Sequence, residues 1–145
     1  MQGKCLCGAV TVTLPRPVTE VDACHCGMCR TLCGGGPMFA LHAAGGVRPT
    51  VDGEESLRTY RSSEWAERVF CGICGTPIWY RFIADDFHSL AAGLFPPEAL
   101  TLTKQIFIEA KPALYDLANE TPKLTEAEVI AEYTAEKAKH EGSAP

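Results

Sequence analysis

The chain has 145 residues, 46% of them hydrophobic and 21% charged, with a formal net charge of -5. Such a length suits one domain able to bury roughly two thirds of its unfolded surface, and the composition is that of an ordinary soluble globular protein. The acidic balance, with no Lys/Arg-rich run, argues against nucleic acid; no apolar run approaches the ~20 residues of a bilayer span, and no signal-peptide pattern follows Met1, which predicts a cytoplasmic, reducing location and no membrane partner.

Residues 9–14 (Ala-Val-Thr-Val-Thr-Leu) alternate apolar and hydroxylated side chains, the period of a half-buried strand, ended by Pro15 and Pro17. Cys5 and Cys7 precede this strand on a turn, for which Gly8 supplies backbone freedom. A short strand around Val21–Ala23 leads into a loop from Cys24 to Cys29. Arg30–Cys33 then fits one helical turn before Gly34-Gly35-Gly36. Pro37–Leu41 reads as a strand, and residues 42–56, with Gly45, Gly46, Pro49, Asp52 and Gly53, as loop and hairpin.

Leu57–Arg61 alternates again, and Ser62-Ser63-Glu64 forms a turn. Val69-Phe70 runs into Cys71-Gly72-Ile73-Cys74-Gly75, a knuckle at a hairpin tip, from which Pro77–Phe82 returns. Ser89–Ala92 and Gln105–Ile108 are further strands, separated by a turn at Pro96–Leu100. Thr125 and Glu128 make a capping box for a solvated helix running to His140, with Gly142 as its stop. The expected fold is mainly β, short antiparallel strands with a C-terminal α-helix. Residues 1–118 form the domain and 119–145 a helical tail.

The eight cysteines are the chemistry-bearing feature. Disulfides fit poorly: Cys5/Cys7 and Cys24/Cys26 would close badly strained local rings, and the chain has enough apolar residues to build a core. Thiolates grouped in this way suit zinc, which four cysteines close as a structural site and three leave open. Cys71 and Cys74 need a second pair, and Cys5/Cys7 at the head of a neighbouring strand is the natural one. Cys24, Cys26 and Cys29 are then left to share one ion. Cys33 could supply a fourth ligand, one helical turn on; His25 could too, although alternation along the loop turns it away from the neighbouring sulfurs. Two purely structural zincs, or one zinc and a cluster of reduced thiols, are the plainer alternatives.

Three segments carry a family resemblance: Gly3-Lys4-Cys5-Leu6-Cys7-Gly8-Ala9-Val10, Cys24-His25-Cys26-Gly27-Met28-Cys29-Arg30 followed by glycines, and Ser62-Ser63 with Trp65 through Arg81. From about Gly3 to Pro112 the chain resembles the glutathione-dependent formaldehyde-activating enzyme family, also called GFA-like or centromere-protein-V-like. The resemblance implies an Mss4-like fold with two zinc ions per chain, the second allowed partial occupancy. It implies a structural tetrad at Cys5, Cys7, Cys71 and Cys74 and a catalytic triplet at Cys24, Cys26 and Cys29. Cys33 stands where other members tend to carry a small or hydroxylated residue. Lys111-Pro112 resembles a family pair, but Ala113, Leu114 and Tyr115 stand where a tryptophan often follows.

The implied activity is that of a carbon–sulfur lyase acting on glutathione, or a related small-molecule thiol, and its aldehyde adduct. The alternative is a zinc-stabilised thiol-binding or protein-interaction module without turnover; the oligomeric state is open. Arg30, Arg61 and Arg68 are candidate partners for ligand carboxylates, because a guanidinium forks onto a carboxylate. Trp65, Phe70, Trp79, Tyr80 and Phe82 are expected in the core. His42, His88 and His140 lack ligand spacing, and Ser62 and Ser63 lack any His/Asp pattern for hydrolase chemistry.

Overall fold

The computed structural model describes residues 1–42 and 48–141, with the side chains of His140 and Glu141 excluded. The loop reading at Gly45 and Gly46, the helix stop at Gly142 and the His140 side chain lie outside the described residues. Among the described residues, eleven strands and two α-helices follow one another: β1 (Gln2–Lys4), β2 (Thr11–Thr13), β3 (Glu20–Cys24), α1 (Gly27–Leu32), β4 (Met38–His42), β5 (Thr50–Asp52), β6 (Leu57–Arg61), β7 (Ala66–Cys71), β8 (Pro77–Phe82), β9 (Phe87–Ala91), β10 (Thr101–Ile106), β11 (Lys123–Leu124) and α2 (Glu126–Glu141). The mainly β fold with its C-terminal helix is the one the patterning predicts. The chain divides into two compact units, Met1–Val21 with Phe39–Thr101, and Asp22–Met38 with Leu102–Pro145.

In the first unit β1, β2 and β5 form a small antiparallel sheet, Val12 pairing with Gly3 on one side and Val51 on the other. The alternation read in residues 9–14 is realised: Val10, Val12 and Leu14 are buried, and Thr11 and Thr13 half-buried. A second, antiparallel arrangement runs β4-β9-β8-β7-β6, with Leu41 opposite Leu90 and Leu90 opposite Trp79. Leu41, Ile78 and Leu90 are fully buried, each worth about 1.5–3 kcal/mol of transfer free energy. Edge strand β6 is mostly exposed and carries Arg58 and Arg61, charges that discourage pairing with another chain.

In the second unit β10 pairs with β11 in parallel, Gln105 opposite Lys123 and Ile106 opposite Leu124. This two-residue pair differs from the antiparallel pairs of the first unit. Strand β10 starts and ends earlier than the pattern at 105–108 predicts. Phe107 takes φ 57, a left-handed conformation that breaks the extended backbone before a 3-10 turn at Ile108–Ala110. Helix α2 opens on the predicted capping box: Glu128 Oε2 accepts from the Thr125 N–H at 2.7 Å, and Thr125 Oγ1 accepts from the Glu128 N–H at 3.4 Å. Most of α2 is exposed; Lys104 ties it down, reaching Glu132 Oε2 at 3.1 Å and the buried Asp22 at 3.7 Å. No helix among the described residues is long and apolar enough to cross a membrane.

Candidate metal centres

Within the first unit the Sγ atoms of Cys5, Cys7, Cys71 and Cys74 all lie within 4.8 Å of one another. Two knuckles of similar design present them. In each, the first cysteine donates its N–H to the carbonyl five residues on, Cys5 to Val10 at 3.0 Å and Cys71 to Thr76 at 2.9 Å. Each turn closes on a glycine N–H returning to the first cysteine's carbonyl, Gly8 to Cys5 and Gly75 to Cys71, both glycines at φ 76. A side chain would be strained in that left-handed region, so glycine keeps both turns tight. Thr76 joins the knuckles: its hydroxyl accepts from the Leu6 N–H at 3.2 Å and lies 3.1 Å from Cys74 Sγ.

The donor set fits zinc. Four thiolates at the usual 2.3 Å around a tetrahedral ion stand about 3.8 Å apart. The Cys5–Cys7 and Cys7–Cys71 sulfurs are 3.6 and 3.8 Å apart, far beyond a disulfide bond. Their charges also call for a cation. The Thr76 hydroxyl first, then backbone N–H groups, pull the Cys74 thiol down to about 5. At Cys7 the Ala9 N–H pulls the other way, but desolvation and the Cys74, Cys5 and Cys71 sulfurs outweigh it and push the thiol up to about 12. Four thiols this close cannot all ionise unless a positive charge sits among them.

The second group, Cys24, Cys26 and Cys29, lies wholly in the second unit, its three sulfurs again within 4.8 Å of one another. Cys24 ends β3, Cys26 is the N-cap of α1 and Cys29 lies within it, and the onset of α1 at Gly27 corrects the loop predicted for residues 24–29. The helix starts early because Cys26, extended at φ -60 and ψ 155, caps it: its Sγ accepts from the Cys29 N–H at 3.4 Å. Cys29 is buried, and Cys24 and Cys26 are half-buried. The Cys26 and Cys29 sulfurs, then burial, push the Cys24 thiol strongly up, so this triplet also needs a cation to be fully ionised. Cys33 caps the C-terminal end of α1, exposed and outside the three-sulfur group.

His25, between two of these cysteines, is fully buried and has every polar group engaged. Its N–H donates to the Ile106 carbonyl at 3.0 Å, and its own carbonyl accepts from Arg30 Nε at 3.1 Å. Gln105 spends its amide nitrogen on Thr121 Oγ1 at 3.2 Å, so its Oε1, at 3.0 Å, accepts a proton from His25 Nε2. The other ring nitrogen, Nδ1, therefore accepts from the Tyr115 hydroxyl at 2.7 Å, and the two rings stack at 5.6 Å. Burial holds the imidazole below its ordinary pKa, in keeping with this pattern. Both ring nitrogens point into this network, which removes His25 as a fourth ligand. Sequence reasoning missed Tyr115 and Gln105, because neither carries a local motif linking it to a histidine 80 or 90 residues away.

The three candidate arginines part ways. Arg61 donates to the carbonyls of Ser63 and Glu64 in its own turn. Arg68 is buried with its guanidinium 4.7 Å over the Tyr80 ring. Arg30, half-buried, belongs to the triplet's own unit. Trp65, expected in the core, is exposed, although its carbonyl accepts from the Ile83 N–H next to the Ala66–Phe82 pair of β7 and β8. Phe70, Trp79, Tyr80 and Phe82 are half-buried. His42 bonds Ser89 Oγ at 2.9 Å and stacks on Phe87, while His88 packs edge-on to Trp79.

Comparison with known proteins gives the architecture a family. Residues 1–110 match the model of the glutathione-dependent formaldehyde-activating enzyme family. An uncharacterised lyase of Schizosaccharomyces pombe is 34% identical over 131 residues, 89% of this chain and 93% of that protein. A Halomonas elongata protein, provisionally named a glutathione-dependent formaldehyde-activating enzyme, is 32% identical over 87 residues, 54% of each chain. A crystal structure of a Rhodobacter sphaeroides protein superposes with a TM-score of 0.55 at 22% identity, covering 70% of this chain and 97% of the other, a likeness of fold. The chain belongs to the glutathione-dependent formaldehyde-activating enzyme family.

Proposed function

We propose that the protein is a zinc-dependent carbon–sulfur lyase that joins glutathione, or a related thiol, to formaldehyde and cleaves the adduct. The carrying observation is the triplet: three convergent thiols that no other His, Cys, Asp or Glu among the described residues completes to four. Cys24, Cys26 and Cys29 would hold one zinc, and Cys5, Cys7, Cys71 and Cys74 a second, structural one. Zinc bound by three thiolates supplies a thiophilic Lewis acid with a position for one external sulfur.

The chain's own residues hold this arrangement steady. Cys26 caps α1 and so fixes the spacing of its own sulfur to that of Cys29. His25, saturated on all sides, prevents the Cys24–Cys26 link from rotating. A thiol and aldehyde held together beside the triplet would gain proximity: the thiol sulfur adds to the aldehyde carbon, the oxygen takes up a proton, and S-hydroxymethylglutathione results. In reverse the hydroxyl loses its proton, the carbon–sulfur bond breaks, and thiolate and formaldehyde part. Residues 1–118 would form the zinc-binding domain and 119–145 the appended tail. Eight cysteines outside disulfides suit a reducing compartment such as the cytoplasm.

Metal analysis and exchange spectroscopy test the proposal. Two zincs per chain are expected, falling to one in Cys24→Ser, together with faster exchange between glutathione–formaldehyde adduct and free thiol than in buffer. One zinc per chain in the parent protein, unchanged in Cys24→Ser, overturns the site. Two zincs without acceleration over the spontaneous reaction favour a thiol-binding module instead.

A further inference from the structure

We propose that Arg30 anchors a carboxylate of the thiol co-substrate, so that the triplet selects an anionic, peptide-like thiol over small neutral ones. This rests on the lyase reading of the triplet. Arg30 follows Cys29 directly on α1, and its Nε–H is fixed on the His25 carbonyl, the peptide oxygen between Cys24 and Cys26. The guanidinium is thereby tethered to the loop that carries two of the three sulfurs. One of its five N–H groups is used; Nη1 and Nη2 donate to nothing among the described residues, and no carboxylate there pairs with them. Nη1 and Nη2 are the side-by-side pair that receives a carboxylate in two parallel bonds.

Two other cations of the same unit, Lys111 and Lys104, are already committed. Lys111 donates to Asp116 Oδ1 at 2.7 Å and to the carbonyls of Pro112 and Tyr115. Lys104 sits between Asp22 and Glu132. The other two candidate arginines belong to the first unit, where Arg61 is bound to its own turn and Arg68 is buried over Tyr80. Electrostatics gives the open valences a purpose. Three thiolates around a divalent ion leave a charge of -1, and an arriving thiolate makes it -2. A ligand bearing carboxylates adds to that repulsion unless a cation meets them. A half-buried guanidinium tethered beside the sulfurs, with its outer edge unspent, meets this requirement.

The rival account is that Arg30 only offsets the charge of the sulfurs, and the ligand decides between the two. Adducts of formaldehyde with glutathione, with glutathione diethyl ester and with 2-mercaptoethanol are compared on the zinc-loaded protein and on Arg30→Gln and Arg30→Lys. A charge-assisted bond to this half-buried guanidinium predicts a KM for the glutathione adduct roughly ten- to a hundredfold below that of the diester adduct. Arg30→Gln should remove most of that discrimination with kcat little moved and two zincs retained, and Arg30→Lys should restore part of it. Equal KM values for glutathione and diester adducts in the parent protein overturn the anchor, as does an Arg30→Gln effect of equal factor on all three adducts. The parent-protein comparison stands even if the variants fail to fold. Absence of turnover with every adduct refutes the lyase reading separately; calorimetric binding of glutathione against its diester then tests Arg30 alone, and equal Kd values overturn it.

Discussion

Gln105→Leu is the sharpest perturbation of the network that holds the triplet's loop. Leucine keeps the volume of Gln105, which is 1% exposed, but removes the oxygen that accepts from His25 Nε2 and the nitrogen that donates to Thr121. His25 is 0% exposed, so its N–H finds no water in exchange. An orphaned buried donor costs about 1–3 kcal/mol, and about 2 kcal/mol is a fair central value when one half-buried bond to Thr121 goes with it. At about 2.1 cal/mol/K per residue, unfolding a chain of this length carries about 0.3 kcal/mol/K, so the midpoint should fall by about 7 °C. The loss should also reach the sulfurs, because His25 lies between Cys24 and Cys26. Zinc release from the triplet to a chromophoric chelator should quicken by more than the uniform destabilisation of the fold accounts for. Thermal unfolding of the zinc-loaded protein and stopped-flow release are the assays. A midpoint within 1 °C of the parent's with unchanged release would refute the inference that this hydrogen-bond network holds the loop.

Other consequences are equally open to measurement. On the proposed assignment, excess chelator should remove zinc in two phases, the triplet's first, because an open position there would admit the chelator's donor while four thiolates would close the tetrad; a single phase counts against the division. Thr76→Val, which removes the hydroxyl shared by Leu6 N–H and Cys74 Sγ, should weaken zinc binding at the tetrad roughly 10- to 100-fold in competition titrations. Arg81, at 2.7 Å, and then Arg48 hold the Asp86 carboxyl below the ordinary carboxylate range. A lowered pKa means stability that is present above the unfolded value near 4 and is lost as pH falls through the folded value. Asp86→Asn should therefore leave less stability to lose below pH 4, and asparagine tolerates the φ of 51 at that position.

What could be read in the chain beforehand follows from the range of the forces involved. Both cysteine groupings were legible because ligand spacing is local: Cys71 to Cys74 and Cys24 to Cys29 are each set by one turn. The strands at Thr11–Thr13, Leu57–Arg61 and Pro77–Phe82 declared themselves through period-two alternation or apolar runs. Strands β1 and β11 did not, since two or three residues are too few for a period and their pairing partners lie elsewhere in the chain. The onset of α1 was hidden because a thiol replaces the usual hydroxyl or carboxylate cap. Tyr115 and Gln105 were invisible as site residues because only the folded chain brings them to His25. Trp65 was misplaced because hydrophobicity predicts burial only on average.

The tetrad has a topological consequence for the rest of the chain. Cys7 and Cys71 stand 64 residues apart in sequence, and a metal that joined their knuckles would close a loop of that length. Cross-linking a loop of this size removes about 4 kcal/mol of chain entropy from the unfolded ensemble in the loop-closure treatment used for disulfides. Everything from the second strand to the seventh lies inside that loop, including all three cysteines of the triplet. On the proposed assignment, oxidative or chelative loss of a metal at the tetrad would therefore lower the stability of the segment that carries the triplet without touching the triplet itself.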